Sequence, residues 1–367
     1  MNIVVTGTRG FPGIQGGVEN HCEKLYTHLI NLGCHVTVFT RKPYNKSGNG
    51  KYKGITLIPI NCPRNKFLEA IVHTTSSIFK ARKLQPDIVH IHAIGPSLLA
   101  VIARVLGMKV VVTNHGHDYE RKKWPLPAKY FLKFCERMGS LSANKIIAIA
   151  PYIADNIWKN YGRDSTVIPN GVELPALADS DEILKDLGLV RRQYILAVGR
   201  FVPEKGFDDL MDAFGKLKLA NWKLVIAGDA DHEDEYSRNI KIKAKNNTNI
   251  ILAGFVTGQS LSELYSHAGL FVIPSYHEGL PIVLLEAMSY GLSCIASNIS
   301  ANKNVELSDD RFFEVGDIES LSSKMIEYIN KSWNDEDRER QVTLIAEKYN
   351  WEKLAAETFK LYEKLIF

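Results

Sequence analysis

Short runs rich in Val and Ile alternate with amphipathic stretches along the whole sequence, and this alternation constrains the fold more than any other feature. It is typical of βαβ units, in which a helix returns the chain to the next parallel strand. We expect strands at residues 2–6, 35–40, 55–60, 87–92, 109–113, 145–149, 194–198, 223–227, 249–253, 270–273 and 293–296. We expect helices at residues 17–32, 66–83, 97–106, 128–142, 207–219, 233–246, 260–268, 281–290, 319–331 and 351–366.

The alternation restarts near the segment Pro169-Asn170-Gly171, and a chain of 367 residues is long enough for two domains. We therefore predict an α/β fold of two facing Rossmann-like domains with a deep cleft between them. The predicted domains are residues 1–172 and 173–350, followed by a C-terminal helix at 351–367. Ligands of open parallel sheets bind beyond the carboxyl ends of the strands, so the loops there are the expected site.

The two halves carry opposite charge. Residues 1–170 contain 23 Lys and Arg against 9 Asp and Glu, whereas residues 171–367 contain 22 against 32. The basic half is expected to meet an anionic partner, and phosphate-bearing lipid, an anionic membrane surface and nucleic acid all fit.

No feature of the sequence predicts export or a membrane span. The first residues lack a basic segment followed by a long apolar run, and the most apolar stretch, 93–113, is interrupted by Pro96, Arg104 and Lys109. The five cysteines are far apart with no CxxC pair, which is typical of reduced thiols. We expect a cytoplasmic protein.

A glycine-rich loop, Gly7 to Gly17, follows the first strand and leads into a helix. Such a loop offers backbone N–H groups to an anion, although the glycines can also serve only a tight turn. The spacing matches neither G-x-G-x-x-G nor a P-loop. Arg41 ends the second strand where an NAD site needs an acidic residue, so of the dehydrogenases only an NADP form stays open.

The segment Gly199 to Gly206 places Arg200 and Lys205 directly after a strand. A guanidinium fork and a mobile ammonium together suit a diphosphate. The alternative is an exposed basic turn that is neutralised by Glu204.

The segment Pro274 to Ala287 brings two carboxylates, Glu278 and Glu286, to another strand end. Pro281 suits the first turn of a helix, and the amides of Gly279 and Leu280 would point toward an anion there. Carboxylates beside a phosphate site can accept hydrogen bonds from sugar hydroxyls. A solvated charged face is the alternative, but Glu286 is surrounded in sequence by apolar residues, where a carboxylate needs a specific partner.

These segments together resemble family 4 of the retaining glycosyltransferases with the GT-B fold. The resemblance rests on the Gly-Gly-Val-Glu of Gly16–Glu19, on Gly-Arg…Glu-Lys-Gly at 199–206 and on the Glu-x7-Glu pair, and it spans nearly the whole chain. The opening Gly-Thr-Arg-Gly-Phe-Pro further resembles bacterial members that build surface polysaccharides, a class that includes lipopolysaccharide. The resemblance implies transfer of a hexose-type sugar from a nucleotide-diphosphate sugar to a saccharide, with a lipid-linked acceptor expected.

The resemblance also implies roles for the matching residues. Glu286 would hold the ribose hydroxyls of the nucleotide, Glu278 the hydroxyls of the donor sugar, and Arg200 and Lys205 the leaving diphosphate. His115 matches a histidine that reaches the donor sugar, so His115, Arg200, Lys205 and Glu278 form the expected catalytic set. The remaining donor-binding positions are Gly16, Gly17, Asn170, Gly228, Asp229, Gly279 and Leu280.

The same resemblance implies retention by front-face attack, with the leaving phosphate taking the proton of the acceptor. No residue of the sequence can be named as the carboxylate nucleophile of a double displacement. The expected cofactor is none, and no metal ion is expected, because cationic side chains and helix N-termini replace it. The cluster of His115, His117 and Asp118 is the alternative that favours a metal.

Basic and aromatic residues interleave between residues 118 and 137, and this stretch is the candidate acceptor or membrane surface. Its basic members are Arg121, Lys122, Lys123, Lys129, Lys133 and Arg137, and its aromatic members include Tyr119, Tyr130, Phe131 and Phe134. A basic amphipathic helix with aromatics is typical of contact with an anionic membrane. A solvated helix with buried aromatics is the alternative, and no nucleic-acid-binding motif accompanies the stretch.

Two rival functions stay open on the sequence. A sugar-nucleotide epimerase can share the two-domain architecture and would isomerise the sugar nucleotide without an acceptor. A catalytically silent protein would bind the nucleotide sugar without transferring it.

Overall fold

The computed structural model describes residues 1–45, 50–63, 68–120, 124–219, 221–230 and 233–366. The chain divides into two compact units. Unit 1 contains Met1–Gly171 together with Trp351–Phe367, and unit 2 contains Val172–Asn350. The division falls one residue before the predicted boundary at 172.

Unit 1 is built on an eight-stranded sheet whose order is β3-β4-β2-β1-β5-β6-β7-β8. All neighbours are parallel except β3, which is antiparallel to β4. The strands are β1 (Asn2–Thr6), β2 (His35–Arg41), β3 (Gly50–Tyr52), β4 (Ile55–Ile60), β5 (Ile88–His92), β6 (Val110–Asn114), β7 (Lys145–Ala148) and β8 (Thr166–Val167). The helices before residue 171 are α1 (Gly17–Asn31), α2 (Leu68–Leu84), α3 (Ile94–Ser97), α4 (Ala100–Val105), α5 (Leu126–Ser142) and α6 (Pro151–Tyr161).

Unit 2 is built on a six-stranded parallel sheet whose order is β11-β10-β9-β12-β13-β14. The strands are β9 (Tyr194–Val198), β10 (Lys223–Ala227), β11 (Ile250–Gly254), β12 (Leu270–Ile273), β13 (Cys294–Ser297) and β14 (Phe312–Phe313). The helices are α7 (Glu182–Asp186), α8 (Phe207–Leu217), α9 (Glu235–Lys245), α10 (Gly258–His267), α11 (Ile282–Ser289), α12 (Ser300–Lys303), α13 (Ile318–Asn330) and α14 (Asp335–Lys348).

Both sheets have the strand order of a doubly wound fold, which creates a switch point at the centre of each. In unit 1 the chain builds outward from β1 through β2 to β4 and then restarts on the other side with β5. In unit 2 it builds from β9 through β10 to β11 and restarts with β12. The central strands β5 and β6 are buried at every residue, because helices cover both faces of a parallel sheet. The prediction of two Rossmann-like α/β domains is confirmed.

The last helix, α15 (Trp351–Ile366), belongs to unit 1 although it follows unit 2 in the sequence. It packs on α1, and Trp351, Leu354 and Tyr362 lie in the same hydrophobic core as residues of β1 and β2. Lys109 also donates a hydrogen bond to the carbonyl oxygen of Ile366 at 3.2 Å.

The structure adds elements that the sequence pattern did not predict. Helix α6 begins with a proline and ends at Gly162 in the left-handed region, so the start and stop signals were present. Helix α14 is highly charged and buries only Gln341 and Ile345, which leaves too few apolar residues for a clear helical period. The other additions are the short elements β3, β8, β14, α3, α7 and α12.

The predicted helix 97–106 is shorter in the structure, where it corresponds to α4, and Ser97 instead ends the separate helix α3. All five cysteines are free thiols, as expected. Among the described residues, no helix combines the length and the apolar character that a membrane crossing requires.

Candidate functional site

The predicted donor-site residues of unit 2 meet at its switch point. Arg200 and Lys205 follow β9, whereas Glu278 follows β12, and these two strands are neighbours in the sheet. The carboxyl ends of strands at a switch point are where open α/β sheets bind ligands. Topology alone therefore brings segments about 70 residues apart in the sequence to one edge.

An ion pair joins the two loops. The ammonium of Lys205 lies 2.6 Å from Oε1 of Glu278, and the Ser275 hydroxyl donates to the same oxygen at 2.7 Å. Burial pushes the pKa of Glu278 up, but the Lys205 charge and the two hydrogen bonds outweigh it and hold the pKa below its usual range. Glu278 is therefore a carboxylate at neutral pH. Lys205 pairs with Glu278 and not with Glu204, which the basic-turn alternative would require.

Gly206 explains why this approach is possible. Its φ of 63° lies in the left-handed region, and a Cβ there would meet the carbonyl oxygen of Pro274 at 2.5 Å. A side chain at this position would separate the Lys205 turn from the loop of Glu278.

Glu286 lies on α11 and is half-buried, as its apolar neighbours suggested. The Tyr265 hydroxyl donates to its Oε2 at 3.1 Å. Burial and the Glu286 carboxylate raise the pKa of Tyr265 well above its usual value, so the phenol stays protonated. Pro281, the first residue of the predicted helix, is the N-cap of α11, which begins one residue later at Ile282, and Gly279 and Leu280 directly precede Pro281.

A second pair of loops places Arg200 beside Gly228 and Asp229. Gly199 donates to the carbonyl oxygen of Ala227 at 2.9 Å, and Phe201 donates to that of Asp229 at 3.1 Å. The Asp229 side chain faces Lys241 at 3.2 Å. The structure thus gathers the predicted donor residues of unit 2 along the ends of three adjacent strands.

In unit 1 the glycine-rich loop is held by an ion pair that sequence analysis did not identify. Arg9 Nε lies 3.2 Å from Oε1 of the buried Glu19, and the Arg9 amide donates to the same oxygen at 3.1 Å. Burial raises the pKa of Glu19, but the charge and hydrogen bonds of Arg9 lower it overall. A Cβ on Gly16, whose φ is 155°, would collide with the Glu19 carboxylate, while Gly17 begins α1.

His115, which is half-buried, belongs to a cluster with the buried histidines His21 and His92 beside the switch point of unit 1. Its Nε2 lies 2.9 Å from Nδ1 of His92, which ends β5. The His21 ring centroid, on α1, lies 4.9 Å from that of His115, and His21 Nδ1 lies 2.8 Å from Oδ1 of Asn170. The structure thus brings the predicted residues His115 and Asn170 to the same cluster, and it adds His21 and His92.

Of the alternative metal cluster of His115, His117 and Asp118, the side chain of Asp118 lies outside the described part of the chain. The nitrogens of His117 face two other carboxylates, Glu120 at 3.8 Å and Glu136 at 3.9 Å. The NADP alternative rested on Arg41, and it is disfavoured because Arg41 is paired with Glu69 of α2 at 3.3 Å.

The predicted acceptor or membrane stretch falls largely on α5. Arg121, Lys122 and Lys123 lie outside the described residues. Lys133 is exposed and Lys129 half-exposed, and Lys133 lies 5.1 Å from the centre of the Tyr119 ring. The hydrophobic side chains beside these lysines are exposed to solvent rather than buried in the core: Leu126 (69%), Tyr130 (70%), Phe131 (43%) and Phe134 (51%).

The predicted site residues thus form two groups, one in each unit. Unit 2 contains Arg200, Lys205, Gly228, Asp229, Glu278, Gly279, Leu280 and Glu286. Unit 1 contains Gly16, Gly17, His115 and Asn170, together with Lys129 and Lys133 on α5.

Comparison with known proteins finds glycosyltransferases along both units. Residues 15–175 match the family model "Glycosyltransferase Family 4", and residues 179–351 match "Glycosyl transferases group 1". An uncharacterized glycosyltransferase of Methanocaldococcus jannaschii is 31% identical over 392 residues, which cover 96% of this chain and 95% of the relative.

Another relative has a named reaction. The UDP-Gal:alpha-D-GlcNAc-diphosphoundecaprenol alpha-1,3-galactosyltransferase of Escherichia coli is 29% identical over 287 residues, 73% of each protein. Among solved structures, sucrose-phosphate synthase of Thermosynechococcus elongatus superimposes with a TM-score of 0.86 at 20% identity, covering 99% of this chain and 98% of the other. The chain therefore belongs to the glycosyltransferases of the family 4 type, and its two Rossmann-like domains are those of the GT-B fold.

Proposed function

We propose that this glycosyltransferase moves a hexose-type sugar from a nucleotide-diphosphate sugar to a lipid-linked saccharide, with retention of the anomeric configuration, during assembly of a cell-surface polysaccharide. The observation that carries the proposal is the Lys205–Glu278 pair at the switch point of unit 2, with Glu286 on the following helix. Cations for a diphosphate and carboxylates for hydroxyls are the groups that such a donor needs. The polysaccharide setting is supported by the relative that acts on a diphosphoundecaprenol acceptor.

In this proposal each residue meets the part of the donor that its chemistry suits. Arg200 and Lys205 stabilise the charge that develops on the diphosphate, Glu278 accepts hydrogen bonds from the sugar and Glu286 from the ribose. In unit 1, His115 and Asn170 are the proposed contacts of the sugar. The backbone groups proposed to contact the donor are those of Gly16 and Gly17 in unit 1 and of Gly228, Asp229, Gly279 and Leu280 in unit 2.

The proposed chemistry is a front-face substitution. The acceptor oxygen bonds to the anomeric carbon as the bond from that carbon to the phosphate oxygen breaks, and the acceptor proton passes to the leaving phosphate. Lys205 and Arg200 supply the positive charge that a divalent ion would otherwise provide, so we propose that transfer needs no metal. His115, Arg200, Lys205 and Glu278 form the catalytic set.

We further propose that α5 holds unit 1 at an anionic, cytoplasmic membrane surface, where a lipid-linked acceptor is found. Leu126, Tyr130 and Phe134 follow one another at four-residue intervals, so they form one exposed stripe of the helix. Lys129 and Lys133 lie along one side of this stripe. Exposed aromatics beside lysines are typical of interfacial helices, and this arrangement disfavours the solvated-face alternative.

The test begins with a panel of nucleotide sugars. The true donor should raise the melting temperature most, since a ligand at 100 times its Kd adds about 2.7 kcal/mol. That donor is then incubated with polyprenyl-diphosphate saccharides, before and after EDTA treatment, and the anomer of the product is determined by NMR.

A retained anomer formed equally well in EDTA supports the whole proposal, whereas an inverted product contradicts the mechanism and a loss of activity in EDTA contradicts metal independence. Isomerised sugar nucleotide without transfer would indicate an epimerase. Tight binding with no turnover on any acceptor would indicate a silent binding protein.

A further inference from the structure

Three histidines of unit 1 converge from three separate elements. His21 lies on α1, His92 ends β5 and His115 follows β6, and one ring nitrogen of each lies within 4.8 Å of the others. The cluster is independent of the Lys205–Glu278 pair, which belongs to unit 2. The proposed transfer uses His115 of this cluster, but it gives no role to His21 or His92.

His21 presents a lone pair rather than an N–H to this cluster. The Asn170 carbonyl oxygen can only accept a hydrogen bond, so Nδ1 of His21 must carry the proton in the 2.8 Å contact. The other nitrogen, Nε2, is then the unprotonated one. His21 is only 3% exposed, and its Nε2 has no hydrogen-bond partner among the described residues.

All three imidazoles are neutral. Burial, reinforced by the neighbouring histidines, lowers the pKa values of His21 and His92 well below 6.5 and that of His115 to about 3. Neutral imidazole is the form that binds metal ions.

For the facing nitrogens of His92 and His115 both to act as ligands, only one shared proton has to move. Nδ1 of His92 and Nε2 of His115 lie 2.9 Å apart, and neutral rings at that distance share one N–H. If the shared proton moves to the other nitrogen of the ring that carries it, both facing nitrogens have a free lone pair. The opposite nitrogen of His92 lies 2.6 Å from the Tyr26 hydroxyl oxygen, which can accept the bond.

We propose that His21, His92 and His115 form a binding site for one borderline divalent transition-metal ion such as Zn²⁺ or Co²⁺, with three imidazole ligands and one exchangeable position. Nitrogens bound to the same tetrahedral Zn²⁺ lie about 3.4 Å apart, since each Zn–N bond is about 2.0–2.1 Å. The facing nitrogens of His92 and His115 lie 2.9 Å apart, and the three ligand nitrogens all lie within 4.8 Å of one another. Imidazole ligands select zinc, cobalt, nickel and copper over magnesium and calcium, which prefer oxygen.

Two outer contacts already hold the ligand rings as metal sites require. Asn170 holds His21 and Tyr26 holds His92, each through the ring nitrogen that faces away from the cluster. Such second contacts fix the tautomer and the orientation of ligating histidines, and their loss usually costs about 10–100-fold in metal affinity. The site departs from the expectation of no metal and shares His115 with the proposed sugar site. It contains neither Arg200 nor Lys205, the residues proposed to stabilise the leaving diphosphate, so the proposal of metal-independent transfer is kept.

The experiment measures metal binding directly, in the absence of any sugar nucleotide, so its result does not depend on the proposed function. The full chain, with any purification tag removed, is treated with EDTA, desalted and titrated with Co²⁺. We expect one Co²⁺ per chain with the intense visible absorption of a tetrahedral complex, displaced by Zn²⁺ and not by Mg²⁺. We also expect bound Co²⁺ to quench the fluorescence of Trp351, whose ring centroid lies 5.4 Å from that of His21.

Substitutions then assign the site. His21→Gln and His115→Gln should each abolish the cobalt absorption, and Asn170→Ala should weaken Zn²⁺ binding by about 10–100-fold. His35→Gln, a change at an exposed histidine of β2, is the matched control and should bind like the wild type. Circular dichroism establishes that each variant is folded.

A second measurement needs no variant. Cu²⁺ bound to the wild-type chain should show, by electron paramagnetic resonance, coupling to several imidazole nitrogens. Oxygen-only coordination, binding that Mg²⁺ displaces, or an unchanged cobalt spectrum in folded His21→Gln would each overturn the proposal.

Discussion

The carboxylates of Glu278 and Glu286 differ in the side chains that contact them within the protein. Glu278 is neutralised by Lys205 at 2.6 Å, whereas Glu286 is contacted by the neutral phenol of Tyr265 at 3.1 Å. Removing Glu278 leaves the half-buried ammonium of Lys205 without this partner, which affects stability as well as binding. Glu286 is therefore the cleaner position at which to test the donor site.

We expect Glu286→Ala to raise the Kd for the nucleotide sugar at least about tenfold with the fold intact. A hydrogen bond to a charged group contributes about 1.5–3 kcal/mol, and tenfold in Kd corresponds to about 1.4 kcal/mol. Isothermal titration calorimetry measures the change. Glu327→Ala, on the surface of α13, is the control and should bind normally. An unchanged Kd would remove Glu286 from the donor site.

We expect Arg200→Ala and Lys205→Ala to reduce kcat more than they weaken donor binding. The diphosphate gains charge only as the bond to the sugar breaks, so cations directed at it act mainly in the transition state, and one such donor contributes about 10²–10³ in rate. The double variant should lose less than the product of the single losses, since both residues serve one group.

Steady-state kinetics makes this measurement, with Lys216→Ala as a control at an exposed lysine of α8 that pairs with Glu319. A rise in KM with normal kcat would show that the two cations bind the ground state and the transition state equally.

At the scale of a single element, α5 carries the clearest surface signal. The wild type should sediment with phosphatidylglycerol vesicles at low salt, and much less with phosphatidylcholine vesicles. Each basic residue near an anionic surface adds about 1 kcal/mol, and salt screens this attraction over the Debye length. Lys129→Gln/Lys133→Gln should weaken the sedimentation, and adding Phe131→Ser should weaken it further.

The matched control for α5 is Trp158→Ser/Lys159→Gln on α6, which removes an exposed aromatic and an exposed lysine elsewhere in unit 1. It should sediment like the wild type. Equal sedimentation of the α5 variants, or binding that ignores salt and lipid charge, would make the exposed stripe an ordinary solvated face.

The elements show which parts of the fold a sequence can predict. Strands β1, β4, β9, β10 and β12 lie where the apolar runs placed them, because buried parallel strands read as continuous apolar segments. Helix α14 was missed because the interactions that stabilise it are a capping box at Asn334 and contacts such as that of Gln341 with the carbonyl oxygens of Met288 and Leu292, not an apolar stripe. Long-range contacts of this kind leave no periodic signal.

The candidate site divides in the same way. Lys205 and Glu278 could be identified because each lies in a short motif after a strand, where topology brings such loops together. The histidine cluster could not, because His21, His92 and His115 are separated by 71 and 23 positions in the sequence and meet only through the strand order of unit 1. Nor does any local pattern indicate that Arg9 would pair with Glu19.

At the scale of the whole molecule, the buried histidines predict a loss of stability in mild acid. Burial lowers the pKa values of His90 and His115 to about 3, and those of His21 and His92 well below 6.5. The unfolded chain binds protons at these positions below pH 6.5 and the folded chain does not, so acid favours unfolding. The contribution of these histidines to the free energy of unfolding is fully present above pH 6.5 and is lost progressively as the pH falls below 6.5.

We expect the free energy of unfolding to fall by at most about 1.4 kcal/mol per histidine for each pH unit below 6.5. Urea unfolding at pH 7.5, 6.5 and 5.5 measures it. Replacing a buried member, as in His90→Leu, should flatten the pH dependence, whereas His35→Gln at the surface should not. A free energy that stays constant from pH 7.5 to 5.5 would contradict the assignment of these histidines as neutral.

The return of α15 to unit 1 has a consequence for how the protein is made. The ribosome completes residues 172–350 before it synthesises residues 351–366, so every residue of unit 2 is available while the core of unit 1 still lacks Trp351, Leu354 and Tyr362. Domains commonly fold in the order of their synthesis, N-terminal first. In this chain the second unit can mature first, and the nascent first unit exposes the apolar surface of α1 until the final helix emerges.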